Sequence, residues 1–447
     1  MNPLATMPQL CSFTFWMQRH ASLVKSLDVP ASEVARPGMI VHGLPMEHHA
    51  AAVQQLLQQM LQLAAAAPES ATSASLLPAP AAATTTSLSD VRACAQQQQQ
   101  QQQRRLRLVR FSSNMLASSS MLAALPAHSL TRLEMDFAFS SSSSLNGQSM
   151  SAALAQISNL QQLQLGTSSQ TSVPGSCLAG IVQLSQLTSL RLEGMWSELD
   201  ESLQQLLAQP LPLQQLHLEL ICTWGSEPVL QLAAQSQLTQ LIYSEDLSEQ
   251  TTLPQQLLHL ECWQPQGISF FTVLELQQLQ RLRILADSVS QSELLQVAQL
   301  PALQQLALMY NDLQGASRAA SCWAQLPQLC EFIVDNHGLA RRRRLPGVLA
   351  GITAATSLTK LVLDGWAALF DDMDVSEDEE ADAEGAANGA QGALLADVPT
   401  CASLARLPGL RHLAIQSASK LAPDDALALT ALTGLTHLAL QQYGQRR

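Results

Sequence analysis

Charge is scarce in this chain of 447 residues: Lys, Arg, Asp and Glu make up 13% of it, about half of what a soluble globular protein carries. The net charge is −13, but Asp371–Glu384 holds nine acids and no base, which leaves −4 for the rest. This balance excludes a broad basic footprint, so no nucleic-acid partner is expected. No run of about 18 or more apolar residues occurs, and no membrane span is expected; the uncharged stretch 426–445 is broken by Thr, Gly, His and Gln. Eight cysteines include no C-x-x-C pair, and no N-x-S/T sequon exists. Both absences point to a reducing, intracellular setting, with the cytoplasm first and the nucleus or the cytoskeleton and ciliary axoneme as alternatives. Phosphate loops, H-E-x-x-H, G-x-S-x-G and paired-cysteine zinc patterns are also missing. We therefore expect no enzyme, no cofactor and no metal; His259 with Cys262, and the pair His48-His49, lack the further ligands a zinc site needs.

Leucine is what the chain has. The pattern L-x-x-L-x-L recurs as Leu130-Leu133-Met135, Leu160-Leu163-Leu165, Leu187-Leu190-Leu192, Leu213-Leu216-Leu218, Leu238-Leu241-Tyr243 and Leu279-Leu282-Ile284. It continues as Leu303-Leu306-Leu308, Leu329-Phe332-Val334, Leu358-Leu361-Leu363, Leu410-Leu413-Ile415 and Leu435-Leu438-Leu440. With a degenerate copy at Leu258-Leu260, the middle residues lie 24 to 30 apart except for gaps of 17 and 52. The last two apolar positions are two apart, which is strand spacing, so both point inward. Upstream, Ile181-Leu184-Leu187, Leu300-Leu303, Trp323-Leu326-Leu329, Leu404-Leu407-Leu410 and Leu429-Leu432-Leu435 are spaced by three, which predicts a helical or 3₁₀ turn on the other side. One such coil cannot bury its apolar face alone, so coils must stack on a shared core.

These copies resemble the leucine-rich repeat family over roughly 104–442. The resemblance implies an α/β solenoid, with a curved parallel sheet inside and helices or turns outside. It also implies a non-enzymatic scaffold with partners such as ubiquitin-ligase components, signalling proteins or cytoskeletal and axonemal complexes. The family carries Asn three residues after the final strand leucine, and here only Asn311 matches. Irregular coils are expected in consequence. The 17-residue gap is too short for a strand and a full outer helix, so that coil is expected to have an extended outer side.

Residues 1–103 read as a low-complexity tail, with an Ala/Thr/Pro-rich run at 64–86 and glutamines at 96–103. The first 27 residues lack acids and carry Arg19 and Lys25, a weak likeness to an organellar transit peptide. Within the tail, Val53, Leu56, Leu57, Met60 and Leu61 predict an amphipathic helix over 46–63. Its simplest role is to cap the solenoid. Leu44-Pro45 ahead of that helix also resembles the opening of an F-box, which would make the chain a substrate-recognition subunit of a ubiquitin ligase, although the tryptophan-bearing half is missing. Leu106 and Leu108 lie 27 residues before Leu133 and Met135 and look like a first, irregular repeat. The second unit of the predicted organisation, 104–447, is a solenoid interrupted by an acidic loop at about 368–393; the 52-residue gap there has either lost a coil or hides one near Leu394-Leu395.

Two columns of residues flank the inward leucines. The one after each strand's last leucine contains Asp136, Glu193, Glu219, Glu261, Met309, Asp335 and Asp364; the middle one contains His259 and Arg283 and then turns apolar at Ala307, Ile333, Val362, Ala414 and Ala439. Apolar side chains gathered on an open sheet face point to a protein contact, and acids beside them steer a basic partner. The expected protein-binding residues are Ile333 and Val362 at the centre, with Ala307 and Met309 beside them and Asp335 and Asp364 at the rim. Trp196, Trp224, Trp263 and Trp366 follow strands, and for Trp263 and Trp366, in the Asn slot, core packing is expected. Arg341–Arg344 is read as a solvated loop, and Ser376, followed by three acids, as an acidophilic phosphorylation site.

Overall fold

The computed structural model describes residues 25–29, 40–41, 44–45, 108–113, 119–137, 146–167, 172–197, 199–221, 229–248, 250–263, 269–314, 323, 325–336, 352, 354–364, 404–416 and 427–441. They fall into two compact units, Met1–Gln237 and Leu238–Arg447. The predicted helix at 46–63, the glutamine tract, Trp224, Arg341–Arg344, Trp366, the acidic run with Ser376, and Leu394-Leu395 lie outside the described residues.

Strands of the first unit are β1 (Ser26–Val29), β2 (Ile40–Val41), β3 (Leu44–Pro45), β4 (Arg110–Ser113), β5 (Arg132–Asp136), β6 (Gln162–Gly166), β7 (Val173–Pro174), β8 (Ser189–Ser197) and β9 (Gln215–Ile221). The order β1-β4-β5-β6-β8-β9 is a parallel ladder; β2 and β3 form a separate antiparallel pair, and β7 lies against the far end of β8. In the second unit, β10 (Gln240–Asp246), β11 (His259–Trp263), β12 (Arg281–Ser290), β13 (Gln305–Gln314), β14 (Glu331–Asn336), β15 (Lys360–Asp364), β16 (His412–Gln416) and β17 (His437–Gln441) pair in parallel in chain order. In both units successive strands are parallel rungs of one repeat, each with its return path on a single side. This is the leucine-rich repeat solenoid, an α/β fold.

The inward pair of each rung carries the core. From β5 to β16, both apolar residues of every L-x-L or its equivalent on the ladder are at most 2% exposed. On β17 the same two positions, Leu438 and Leu440, are each 47% exposed.

Triple spacing upstream has a direct backbone cause. Leu184 N–H bonds Ile181 O and Leu187 N–H bonds Leu184 O, and the same two-step chain of i→i−3 bonds recurs through Trp323-Leu326-Leu329, Leu404-Leu407-Leu410 and Leu429-Leu432-Leu435. Each bond turns three residues back over the core, so every third side chain is apolar and buried. Longer outer elements occur where the coil is longer: α1 (Ser119–Ala124), α2 (Gly147–Ala155), a 3₁₀ helix at Gly175–Gln183, α3 (Leu199–Leu207), α4 (Ser269–Leu274) and α5 (Gln291–Val297). On α3, Leu199, Leu203, Leu206 and Leu207 form the buried stripe, and Asp200 and Glu201 sit in the first turn, where the helix dipole favours acids. Asn146 caps α2 by accepting from Ser149 N–H at 3.1 Å.

Without the family's asparagines, the coils are clasped by backbone. At the start of each rung two successive N–H groups converge on one carbonyl of the coil before: Gln161 and Gln162 on Thr131 O, Thr188 and Ser189 on Gln161 O, Thr359 and Lys360 on Cys330 O, Thr436 and His437 on Arg411 O. Where Thr holds the first position its hydroxyl donates to the same oxygen, as at Thr188 (3.1 Å), Thr359 and Thr436 (both 3.0 Å). Gln235, fully buried, supplies a side-chain equivalent: its Nε2 donates to Leu207 O at 2.7 Å and Gln209 O at 2.6 Å.

Three readings of the sequence need correction. Ser26–Val29 lies within the supposed low-complexity tail, yet it is a rung, with Leu27 paired to Phe111 and 8% exposed; an 81-residue detour from there to β4 hides it from any period. The first repeat is not Leu106-Leu108 but Leu108-Phe111-Ser113, with Phe111 paired to Leu133 and Ser113 to Met135. The degenerate copy is Leu257-Leu260-Cys262, because Leu260 pairs with Leu241 and Leu282 while Leu257 is fully buried. Buried phenylalanine, serine and cysteine stand where a leucine pattern looks for leucine. The coil between β10 and β11 has, as expected, no helix among its described residues.

Candidate interaction surface

Side chains between the inward leucines face away from the core and form the open face of each ladder. In the first unit this face is a mesh of charges: Arg110 and Arg132 meet Glu134 at 3.4 and 3.9 Å, Arg191 pairs with Glu193 and reaches Glu219 at 3.6 Å, and His217 Nε2 lies 3.6 Å from Glu219. Burial, and secondly the Arg191 guanidinium, hold the His217 pKa down at about 4, outweighing nearby Glu219. His217 is therefore neutral at physiological pH, and the mesh satisfies itself.

The second unit differs along its length. Its middle column in true register is Ile242, Glu261, Arg283, Ala307, Ile333, Val362, Ala414, Ala439. Glu261 thus belongs to the middle column, and His259 moves to the leading one, beside Gln240 and Arg281. Burial, with Arg281 and Arg283 after it, lowers the His259 pKa. Arg283 closes the polar half: it pairs with Glu261 at 3.3 Å and donates toward Met309 Sδ at 3.0 and 3.3 Å.

Beyond Arg283 the middle column is apolar through five rungs. The sequence-predicted residues converge here. Ala307, Ile333 and Val362 are register partners on β13, β14 and β15, as are Met309, Asp335 and Asp364 in the trailing column. Ile333, Val362, Met309 and Asp335 are half-buried. Ala307, at 8% exposure, forms floor instead of contact surface. The backbone of Asp364 is placed by β15; its side chain is outside the described residues.

Sequence reasoning missed the leading column, which borders the apolar stripe on its other side with Glu331, Lys360, His412 and His437. Lys360 Nζ meets Glu331 at 2.6 Å, and the rings of His412 and His437 stack at 3.9 Å with an 11° tilt. The signal was present as the residue immediately before each middle leucine. Where Ile and Val give way to Ala414 and Ala439, the face sinks into a depression of about 330 Å³ edged by Lys360, His412, Thr436 and His437.

Trp263 overturns its expected packing role: 46% exposed, it stands in the trailing column beside Leu285. Trp196 is buried, and its Nε1 donates to Glu193 O at 3.2 Å. Among the described residues no three His, Cys, Asp or Glu side chains gather as a metal site, and no helix is long and apolar enough to cross a membrane.

No family model and no curated protein matches the chain. Among solved structures it is similar to an internalin (inlF) from Listeria monocytogenes, at 13% identity and a TM-score of 0.43, covering 98% of this chain and 94% of that one. A TLR13–ssRNA13 complex is matched at 14% identity and a TM-score of 0.32, covering 76% of this chain and 51% of that one.

Proposed function

We propose that the chain is a non-enzymatic scaffold that binds a protein on the open face of its second unit, with Ile333 and Val362 at the centre, Ala307 as floor, and Met309, Asp335 and Asp364 along the rim. The observation that carries this reading is the uninterrupted apolar column from Ala307 to Ala439, five rungs in register, on a face that elsewhere is made of paired charges. Half-buried Ile and Val between polar borders gain from removal of water, about 25 cal/mol per Å² of apolar area covered. An intracellular setting is supported by Cys177, Cys262 and Cys330, all free thiols.

The test is proximity labelling in the native cell with the wild type, Ile333→Glu/Val362→Glu and Asp335→Lys/Asp364→Lys. Proteins labelled by the wild type are expected to be lost with the first variant and reduced with the second. An unchanged set with Ile333→Glu/Val362→Glu rules the reading out.

A further inference from the structure

The two borders of the apolar column differ in charge, and the column's spacing fits one kind of occupant. Resting on the docking reading above, we infer that the partner presents an amphipathic α-helix lying across β13–β17, with a basic flank over Asp335 and an acidic flank over Lys360, His412 and His437.

Spacing comes first. Adjacent strands lie about 4.8 Å apart, whereas a helix advances about 5.4 Å per turn and an extended peptide repeats on one side only every ~6.7 Å. A helix across the rungs delivers one side chain per rung; a strand falls out of step after two. Five rungs span ~19 Å, or three to four helical turns. This is recognition of an apolar stripe by anchors at i, i+3 or i+4, and i+7. The floor shapes those anchors: bulky Ile333 and Val362 accept small side chains, while the depression over Ala414 and Ala439 accepts a large one.

Charge sets the flanks. On the leading side, Lys360 is the more exposed member of its ion pair, at 43% against 19% for Glu331, so its ammonium remains open to a second carboxylate. His437 is oriented for the same task. Thr436 Oγ1 donates its one hydrogen to Arg411 O at 3.0 Å, so at its 3.0 Å contact with His437 Nδ1 it can only accept, and Nδ1 carries the hydrogen. Nε2 is left for a ligand; with a proton taken from solvent it donates to a carboxylate. On the trailing side the described acid is Asp335. The polar half beyond Arg283 ends the site, because Arg283 is already engaged by Glu261 and Met309.

The probe is a phage library of random peptides of about sixteen residues, enough for ~4 turns, selected on the immobilised full chain. Wild type, Ile333→Glu and Lys360→Glu/His437→Glu are compared, with circular dichroism confirming that each is folded. Expected from the wild type are peptides with helical apolar spacing and Asp or Glu along one flank. Their synthetic versions should bind Lys360→Glu/His437→Glu about tenfold more weakly, and selection on that variant should replace the acids with Lys or Arg. Peptides without acidic preference, or binding unchanged in that variant, overturn the inference while loss of binding in Ile333→Glu keeps the docking reading. Peptides that ignore Ile333→Glu, or no selection by the wild type, overturn both.

Discussion

Buried thiols and imidazoles of this chain are set by what surrounds each one. Burial pushes Cys177 and Cys262 up to about 12, so neither forms a thiolate near neutrality, whereas Cys330 is exposed. Iodoacetamide at pH 8 should therefore alkylate Cys330 in the native protein and reach Cys177 and Cys262 only after unfolding, as read by peptide mass mapping. Both pKa values are raised on folding, so the unfolded chain loses these protons first; stability held below pH 9 should decline as pH rises from 9 toward 12. His217 runs the opposite way. Its pKa falls from 6.5 to about 4 on folding, so the unfolded state takes up the proton first, and stability should decline as pH drops through that window. His217→Gln should flatten that decline in a melting series from pH 7 to 4.

At the scale of elements, the coils are joined by hydrogen bonds that no leucine count contains. Gln235→Leu keeps the volume but strips two buried carbonyls of their donor, and should cost about 2–4 kcal/mol in chemical denaturation followed by circular dichroism. Gly194 has φ +84° and passes against Thr167, whose hydroxyl bridges to Met195. Gly194→Ala adds a Cβ both to a left-handed backbone and to that contact, and should cost about 1–3 kcal/mol. Gly180 makes the closest helix approach, onto the backbone of Ser151 in α2. The pattern of leucines predicted that outer turns exist; it gave no sign of how α2 and the 3₁₀ helix abut, because a close approach is recorded only as one glycine among 20.

For the whole molecule, the 52-residue gap shows how the ladder answers what a period cannot. Leu361 pairs directly with Leu413, and Arg411 and His412 close their clasp on Thr359 O, so no rung intervenes between β15 and β16. Excising residues 371–398 should leave that register intact and the thermal melt within about 2–4 °C of wild type. Repeat stacking makes stability a sum over neighbouring coils, so an edit between two paired rungs is tolerated where an edit within a clasp is not.

The leucine repeat by itself determined the fold, since a coil with one apolar face has no stable course except to stack on copies of itself. It also placed Ala307, Ile333 and Val362 in one column, because identical spacing within successive copies forces identical position. Tertiary structure alone decided the rest. At β4 and β11 the rungs are registered by Phe111 and Cys262, whose burial and not their letter makes them core; at β1 the partner strand lies 81 residues away; at Trp263 the side chain turns to water. Lys360, His412 and His437 meet only because parallel pairing aligns residues 25 and 52 positions apart, a closeness created by hydrogen bonds between backbones that carries no mark in the local sequence.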